Sequence, residues 1–373
     1  MAHVRVLVTD DSAFMRSAIR RILSAADDIE VVGIATNGLE AIAKARDLQP
    51  DVVTLDIEMP QMDGLTALRQ IKRVCPAAVL MVSSLTREGS QATLSALRMG
   101  AADFIAKDQS QISLKLDSLQ GQLVAKVRAL GANAGVARDS SAGGVGRGTG
   151  VSQRPGAGAK PASGGGGVEL PAARLADVQI VVIGSSTGGP PVLEQLVASV
   201  TPRTPCPIVI AQHMPPLFTE AMAERLDRIT PATVVHARPG MSVDPGHIYV
   251  APGGEHTRVF KSIGAPRLRI GPGPGELLYK PSVDELFTSA AEAFGRRTLA
   301  IVLTGMGEDG LIGARAISAA GGLILAQDHA SCVVYGMPKA VTQAGLADGS
   351  CTIDQIAQVL GRLGPARQAA AVG

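Results

Sequence analysis

Gln179-Ile180-Val181-Val182-Ile183-Gly184-Ser185-Ser186-Thr187-Gly188-Gly189-Pro190-Pro191 is the stretch on which the reading of this chain turns. A β-branched run enters a glycine turn and a helical pattern leaves it, as in a parallel α/β sheet. Gly184, Ser186 and Gly188 spell G-x-S-x-G, a nucleophile elbow when it falls between strand and helix. The glycines allow the strained backbone that lifts a hydroxyl clear of the sheet. Pro190 suits the first turn of a helix, whose free N–H groups would lie beside Ser186, ready to stabilise an oxyanion. The alternative is a phosphate-cradling loop, since glycine plus a helix N-terminus also binds anions. It is not a Walker A loop, because no Gly-Lys-Ser/Thr follows.

Downstream, Pro207-Ile208-Val209-Ile210-Ala211 reads as a strand running into Gln212-His213, and Thr298–Leu303 as another running into Thr304-Gly305-Met306-Gly307-Glu308-Asp309-Gly310. A lone strand-end histidine is commonly structural, and Asp309 alone could be a helix N-cap. Serine, histidine and aspartate at the ends of separate parallel strands together make the constellation of acyl transfer. The order Ser186, His213, Asp309 differs from the Ser…Asp…His of α/β-hydrolases, which points to a convergent fold. His236, His247, His256 and His329, with Asp284 and Asp328, are further candidates that the sequence alone leaves open.

Working back to the N-terminus, Val4–Thr9 reads as a buried strand ending in Asp10-Asp11, followed by a helix that Ser12 can cap. Strands Glu30–Ala35, Val52–Leu55, Ala78–Ser83 and Asp103–Ala106 alternate with helices over Leu39–Leu48, Leu65–Val74 and Gln91–Met99. Five β/α units predict a doubly wound parallel sheet, with functional groups at the strands' carboxyl ends. The residues landing there are Asp10, Asp11, Asp56, Ser84 and Lys107. Three converging carboxylates need a cation, and Mg2+ with its oxygen ligands is the natural one. One such acid would be uninformative, but acids after the first and third strands, a hydroxyl after the fourth and a lysine after the fifth form a pattern.

The chain's 373 residues allow two domains, and a net charge of +2 argues against nucleic-acid binding through bulk charge. Cys75, Cys206, Cys332 and Cys351 lack ligand-like spacing and fit buried thiols in a reducing cytoplasm. The N-terminus enters a strand at once, without a signal-peptide core, and no apolar run approaches the ~18 residues of a spanning helix. A soluble cytoplasmic protein is expected. Gly131–Val168 is dominated by glycine, alanine and serine, and predicts a disordered tether reaching on the order of 35 Å. The expected division is therefore a domain over 3–120, a linker over 121–176 disordered from about 131, and a second α/β domain with a mostly parallel sheet over 177–365.

Asp10-Asp11, Asp56 in Leu-Asp-Ile-Glu-Met-Pro, Met62-Asp63-Gly64, Ser83-Ser84 and Phe104-Ile105-Ala106-Lys107 closely resemble the receiver domain of two-component response regulators, a flavodoxin-like fold. The resemblance implies that Asp56 accepts a phosphoryl group from a histidine kinase, with Asp10, Asp11 and Asp56 holding Mg2+. It implies that Ser84 and Lys107 contact the phosphate and that Phe104 is the aromatic switch. One departure is Lys107-Asp108, where that family usually has Lys-Pro.

The second half resembles the catalytic domain of chemotaxis protein-glutamate methylesterases. The stretches are Ile183–Gly189, Gln212-His213-Met214-Pro215, Tyr249–Gly253, Pro281-Ser282-Val283-Asp284, Leu303–Gly310, Ala326–Cys332 and Val334–Ala340. The resemblance puts the nucleophile on Ser186, the base on His213 and the orienting acid on Asp309, with Thr187 and Met306 lining the oxyanion site. It implies hydrolysis of glutamate methyl esters on methyl-accepting chemoreceptors and deamidation of receptor glutamines, with no cofactor for the esterase step. It also implies that the unphosphorylated receiver covers the active site. The expected partners are chemoreceptors and a chemotaxis histidine kinase, with no nucleic acid and no membrane insertion, the protein acting as a monomer. Two other classes compete: a non-enzymatic output domain binding phosphate or nucleotide at 184–190, and a DNA-binding output, which lacks a helix-turn-helix signal.

Overall fold

The computed structural model describes residues 3–107, 120–132, 170–263, 265–273 and 279–364. The expected tether falls largely on 133–169, and the Lys107-Asp108 junction ends on residue 108; both lie outside the described residues.

The first unit alternates β1 (Val4–Thr9), α1 (Ala13–Ser24), β2 (Ile29–Ala35), α2 (Gly38–Leu48), β3 (Val52–Asp56), α3 (Gly64–Val74), β4 (Ala78–Ser84), α4 (Arg87–Arg98) and β5 (Asp103–Lys107). Its five strands pair in parallel in the order β2-β1-β3-β4-β5. The helices start where the sequence supplies a short polar cap. Ser12, Asn37, Asp63 and Thr86 each accept a hydrogen bond from the backbone N–H three residues on.

The second unit contains α6 (Ala172–Ala176), β6 (Ile180–Ser185), α7 (Gly189–Val197), β7 (Ile208–Gln212), α8 (Pro216–Ile229), β8 (Thr233–His236) and β9 (His247–Val250). The hairpin β10 (His256–Phe260) and β11 (Arg267–Gly271) and the helix α9 (Val283–Phe294) follow. Then come β12 (Thr298–Val302), α10 (Leu311–Ala319), β13 (Leu323–Gln327), α11 (Met337–Gln343), β14 (Gly349–Cys351) and α12 (Ile353–Gly361). Seven strands form a sheet in the order β14-β13-β12-β6-β7-β9-β8. Every pairing within it is parallel, so the sheet is more uniform than expected, and the antiparallel pair β10–β11 stands apart. The chain runs outward from β6 on one side and from β12 on the other. The crevice at the end of β6 is therefore a topological switch point, where such sheets place their ligands.

Two segments expected in the linker are folded. Residues 120–132 form helix α5, which buries Leu123, Val127 and Leu130 in a cluster with Val6, Val8 and Ile105. Their spacing gives α5 one apolar stripe, and burying it holds the helix on the first sheet. Leu170 and Leu175 of the α6 segment are likewise buried against the second sheet. The core also continues from one unit into the other: Phe104 and Phe218 belong to a single buried cluster, and Val334 joins the cluster of α5.

Candidate functional site

Ser186, His213 and Asp309 follow β6, β7 and β12, three adjacent strands with β6 in the middle. Ser185 is the register partner of Gln212, so Ser186 and His213 leave the sheet side by side. Gly188 takes a left-handed backbone (φ 78°) as the N-cap of α7, a conformation that disfavours other residues. Gly188, Pro215 and Gly310 cap α7, α8 and α10, and none of these residues makes a side-chain hydrogen bond to its helix end.

The elbow is pinned from both flanking strands. Ser186 N–H donates to Thr304 O (3.0 Å), and Thr304 Oγ1 donates to Thr187 O (2.9 Å). Gln212 Nε2 donates to Ser186 O (2.9 Å) while its Oε1 accepts from Ser185 Oγ (2.6 Å). Gln327 Oε1 in turn accepts the Thr304 N–H (2.7 Å).

His213 Nε2 and Asp309 Oδ2 are 2.7 Å apart, both side chains being nearly buried. The ring lies flat on Tyr279, with centroids 4.2 Å apart and planes 8° from parallel. Asp309 also accepts Ser282 Oγ–H (3.0 Å) and the N–H groups of Val283 (2.8 Å) and Asp284 (2.9 Å). Burial alone would raise its pKa. The bond to His213, the imidazolium charge and these N–H groups outweigh burial and hold the carboxyl below its ordinary value. An ionised Asp309 fixes the proton of a neutral His213 on Nε2. That leaves Nδ1, which is buried and has no hydrogen-bond partner among the described residues, as the basic nitrogen.

Of the other candidates, only Asp284 touches a member of this set. His236 Nε2 meets Thr219 Oγ1, His247 Nδ1 meets Pro245 O, His256 Nδ1 accepts the Ser282 N–H, and His329 packs edge-on against Tyr335. Asp328 accepts from Ser331. Asp284 accepts the Gly310 and Gly313 N–H groups, and burial, with Asp309 nearby, pushes its carboxyl up to about 6.

At the carboxyl edge of the first sheet, Lys107 Nζ bridges Asp10 Oδ2 (2.8 Å) and Asp56 Oδ2 (2.7 Å). Burial and then the charge of Asp10 push the Asp56 carboxyl up to about 6, against the pull of Lys107. One carboxylate oxygen each from Asp10, Asp11 and Asp56 lies within 4.8 Å of the others. Clustered hard oxygen donors on this scale fit a small divalent cation. Ser84 Oγ donates to Glu58 Oε1 (3.1 Å), and both line a cavity of about 450 Å3 with Asp11, Asp56 and Lys107.

Phe104 points the other way, into the second unit, where its ring stacks on Phe218. Its neighbour Asp103 accepts a hydrogen bond from Thr187 Oγ1, one residue after Ser186. Lys126 of α5 grips the same Asp103 (2.6 Å) and lies over the Phe104 ring at 5.6 Å. Met306 sits partly buried beside the α5 cluster. Gln212, Thr304, Gln327, Ser282 and Tyr279 had no assigned role from sequence. Their contacts at the site reach distant segments, although Ser282 also carries the local signal of an N-cap at the start of α9.

Among the described residues no helix is long and apolar enough to cross a membrane. Residues 181–360 match the CheB methylesterase family and residues 6–117 match the response regulator receiver domain. A protein-glutamate methylesterase/protein-glutamine glutaminase of Oleidesulfovibrio alaskensis is 45% identical, with 96% of this chain and 98% of that one aligned. One from a group 1 operon of Pseudomonas putida is 44% identical, with the same coverage. One from Lawsonia intracellularis is 40% identical, covering 95% of this chain and 97% of the relative.

Proposed function

The chain belongs to the CheB methylesterase family, with a response regulator receiver domain ahead of the esterase domain, and from that premise we propose which residues carry each activity. It is a phosphorylation-regulated protein-glutamate methylesterase and protein-glutamine glutaminase of chemotaxis. Ser186 is the nucleophile, His213 the base and Asp309 the orienting acid. The single observation carrying this reading is the Asp309 carboxylate on His213 Nε2, with that histidine at the strand end next to Ser186.

Ser186 Oγ attacks the carbonyl of a receptor γ-glutamyl methyl ester as its proton passes to His213 Nδ1. Asp309 holds the ring and stabilises its cation. Ser186 N–H is already bonded to Thr304, so the oxyanion falls to the N–H groups of Thr187 and Met306, each worth ~3 kcal/mol. The tetrahedral intermediate collapses and expels methanol, which takes the proton back from His213. Water, activated by the same nitrogen, then releases the glutamate. From a receptor glutamine the leaving group is ammonia.

In the receiver, Asp56 is the phosphoacceptor and the histidine kinase the donor. Asp10, Asp11 and Asp56 would hold Mg2+, which when bound would supply positive charge against the phosphoryl group. Lys107 and Ser84 contact the phosphate, Ser84 giving up Glu58 to do so. Phe104 is the switch. The Asp103–Thr187 bond and the Phe104–Phe218 stack support a resting state in which the receiver covers the nucleophile, and phosphorylation favours its release. The packing of α5 and α6 supports placing the receiver at 3–132 and the esterase domain at 170–364. We place the protein in the cytoplasm, as a monomer, where kinase and receptor signalling helices meet it.

The test is methanol release from methylated receptor membranes, with and without a small-molecule phosphodonor. Ser186→Ala should abolish release while Asp56 is still phosphorylated. Near-normal release from that variant would overturn the reading.

A further inference from the structure

Asp284, in the first turn of α9, takes no part in the chemistry proposed above, yet its half-buried carboxylate lies beside the catalytic acid. Helix α10 starts at Gly310 with φ 101° and has no side-chain cap of its own. A helix start leaves its first N–H groups without intrahelical partners. Here Asp284 Oδ1 accepts two of them, from Gly310 (2.9 Å) and Gly313 (2.7 Å). In return Asp309, the residue before Gly310, accepts the Val283 and Asp284 N–H groups that open α9. Each carboxylate thus caps the helix that begins beside the other.

The two helix starts are packed as closely as their backbones allow. A Cβ on Gly313 would lie 2.4 Å from Phe287 Cβ, and one on Gly310 would lie 2.9 Å from Val283 Cγ1. Where a helix of this chain has a side-chain cap from its own N-cap residue, Ser, Asn, Asp or Thr supplies it locally. At α10 the cap comes from another helix and sets a second, half-buried carboxylate beside Asp309. Two adjacent acids repel, and facing helix N-termini offsets only part of that cost. Position 310 itself cannot supply the cap, because its left-handed backbone and the nearby Val283 leave no room for a side chain. The arrangement found here also holds the Gly310 N–H, directly after Asp309 in the chain.

We infer that Asp284 is a positioning residue that holds the Asp309 carboxylate in register with His213 Nε2 by capping α10 across the helix pair. The inference rests on the triad proposed above. Misplacing a catalytic group by about 1 Å can cost on the order of 10²-fold in rate.

The test uses the full chain, activated by a small-molecule phosphodonor, on methylated receptor membranes, with Ser186→Ala alongside. Asp284→Ala should lower kcat by about 10- to 100-fold with KM within twofold of wild type. Asp284→Asn, whose amide oxygen can still accept both N–H groups, should restore kcat to within about fivefold. The His213 Nε2–H proton resonance, read in histidine-labelled protein, should move upfield in Asp284→Ala and stay in place in Asp284→Asn. Should Asp284→Ala not fold, Asp284→Ser serves, since its hydroxyl is too short to span both N–H groups; the same loss of kcat and the same shift are expected. Wild-type kcat and an unmoved resonance in the folded Ala or Ser variant would overturn the inference. So would an Asn variant as slow as Ala or Ser with its resonance in place. If Ser186→Ala itself releases methanol, the triad reading fails instead, so the two failures are distinguishable.

Discussion

Phe104 of the receiver and Phe218 of the esterase domain stack with centroids 4.5 Å apart and planes 17° from parallel, both rings almost fully buried. The ring proposed above as the receiver's switch is thus part of the contact between the two units. A change at the phosphoacceptor that turns Phe104 must disturb the seam over Ser186, and closure must by linkage oppose that turn.

Removing this stack should loosen the closed state. An aromatic pair contributes about 0.5–1.5 kcal/mol beyond area burial, so Phe218→Ala should raise basal methanol release several-fold without phosphodonor. Arg87 pairs with Glu224 (2.6 Å) and Glu220 (3.8 Å) across the same seam, but these side chains are substantially exposed. Exposed pairs contribute little, so Arg87→Ala should change basal release by less than about threefold.

Asp309→Asn should cost about 10⁴-fold in kcat, because an amide no longer holds the proton on His213 Nε2. Steady-state methanol release measures it. Phosphorylation of Asp56, followed separately with labelled phosphodonor, should be unaffected.

Tyr279→Leu should lower kcat by up to about tenfold, since the flat ring against His213 favours the imidazolium formed during attack. Tyr279→Phe keeps the face and should match wild type, which separates stacking from any role of the hydroxyl.

The Asp56 carboxyl, raised from 3.8 to about 6 chiefly by burial, gives a pH signature. Between those values the native state binds more protons than the unfolded chain, so stability falls as pH rises through the window. The contribution is full below about 3.8 and lost above about 6, on the order of 3 kcal/mol. Asp56→Asn cannot ionise and should therefore melt higher than wild type at pH 7.5 and about equally at pH 3.5.

Chelating divalent cations should remove stimulation by phosphodonor while leaving basal methanol release intact, because the proposed Mg2+ site lies at Asp10, Asp11 and Asp56 and none of the triad residues belongs to it.

The receiver sheet was readable because its signals are local: apolar runs end on Asp10, Asp56 and Lys107, and each cap lies next to its helix. Ser186 and His213 were readable for the same reason, each closing a recognisable strand. Asp309 was half readable. Its helix-cap alternative is realised, but on α9 rather than on the helix that follows it, because the cap forms between segments 25 residues apart or more. Which imidazole nitrogen faces the acid depends on the spacing of β7 and β12, a tertiary quantity. Helix α5 is different. Leu123, Val127 and Leu130 are spaced for one helical face, but they follow the last stretch that resembles a receiver, so the expected linker begins at 121, inside the folded unit.

Lys126 has a practical bearing on taking this protein apart. A fragment ending at residue 120 would strip the ammonium from Asp103 and from the face of Phe104, and would uncover the apolar side of β1. Such a piece would carry an orphaned acid at its exposed flank and tend to self-associate. Phosphotransfer measured on it would describe an amputated surface, whereas a cut beyond residue 132 keeps the unit's own counter-ion and cover.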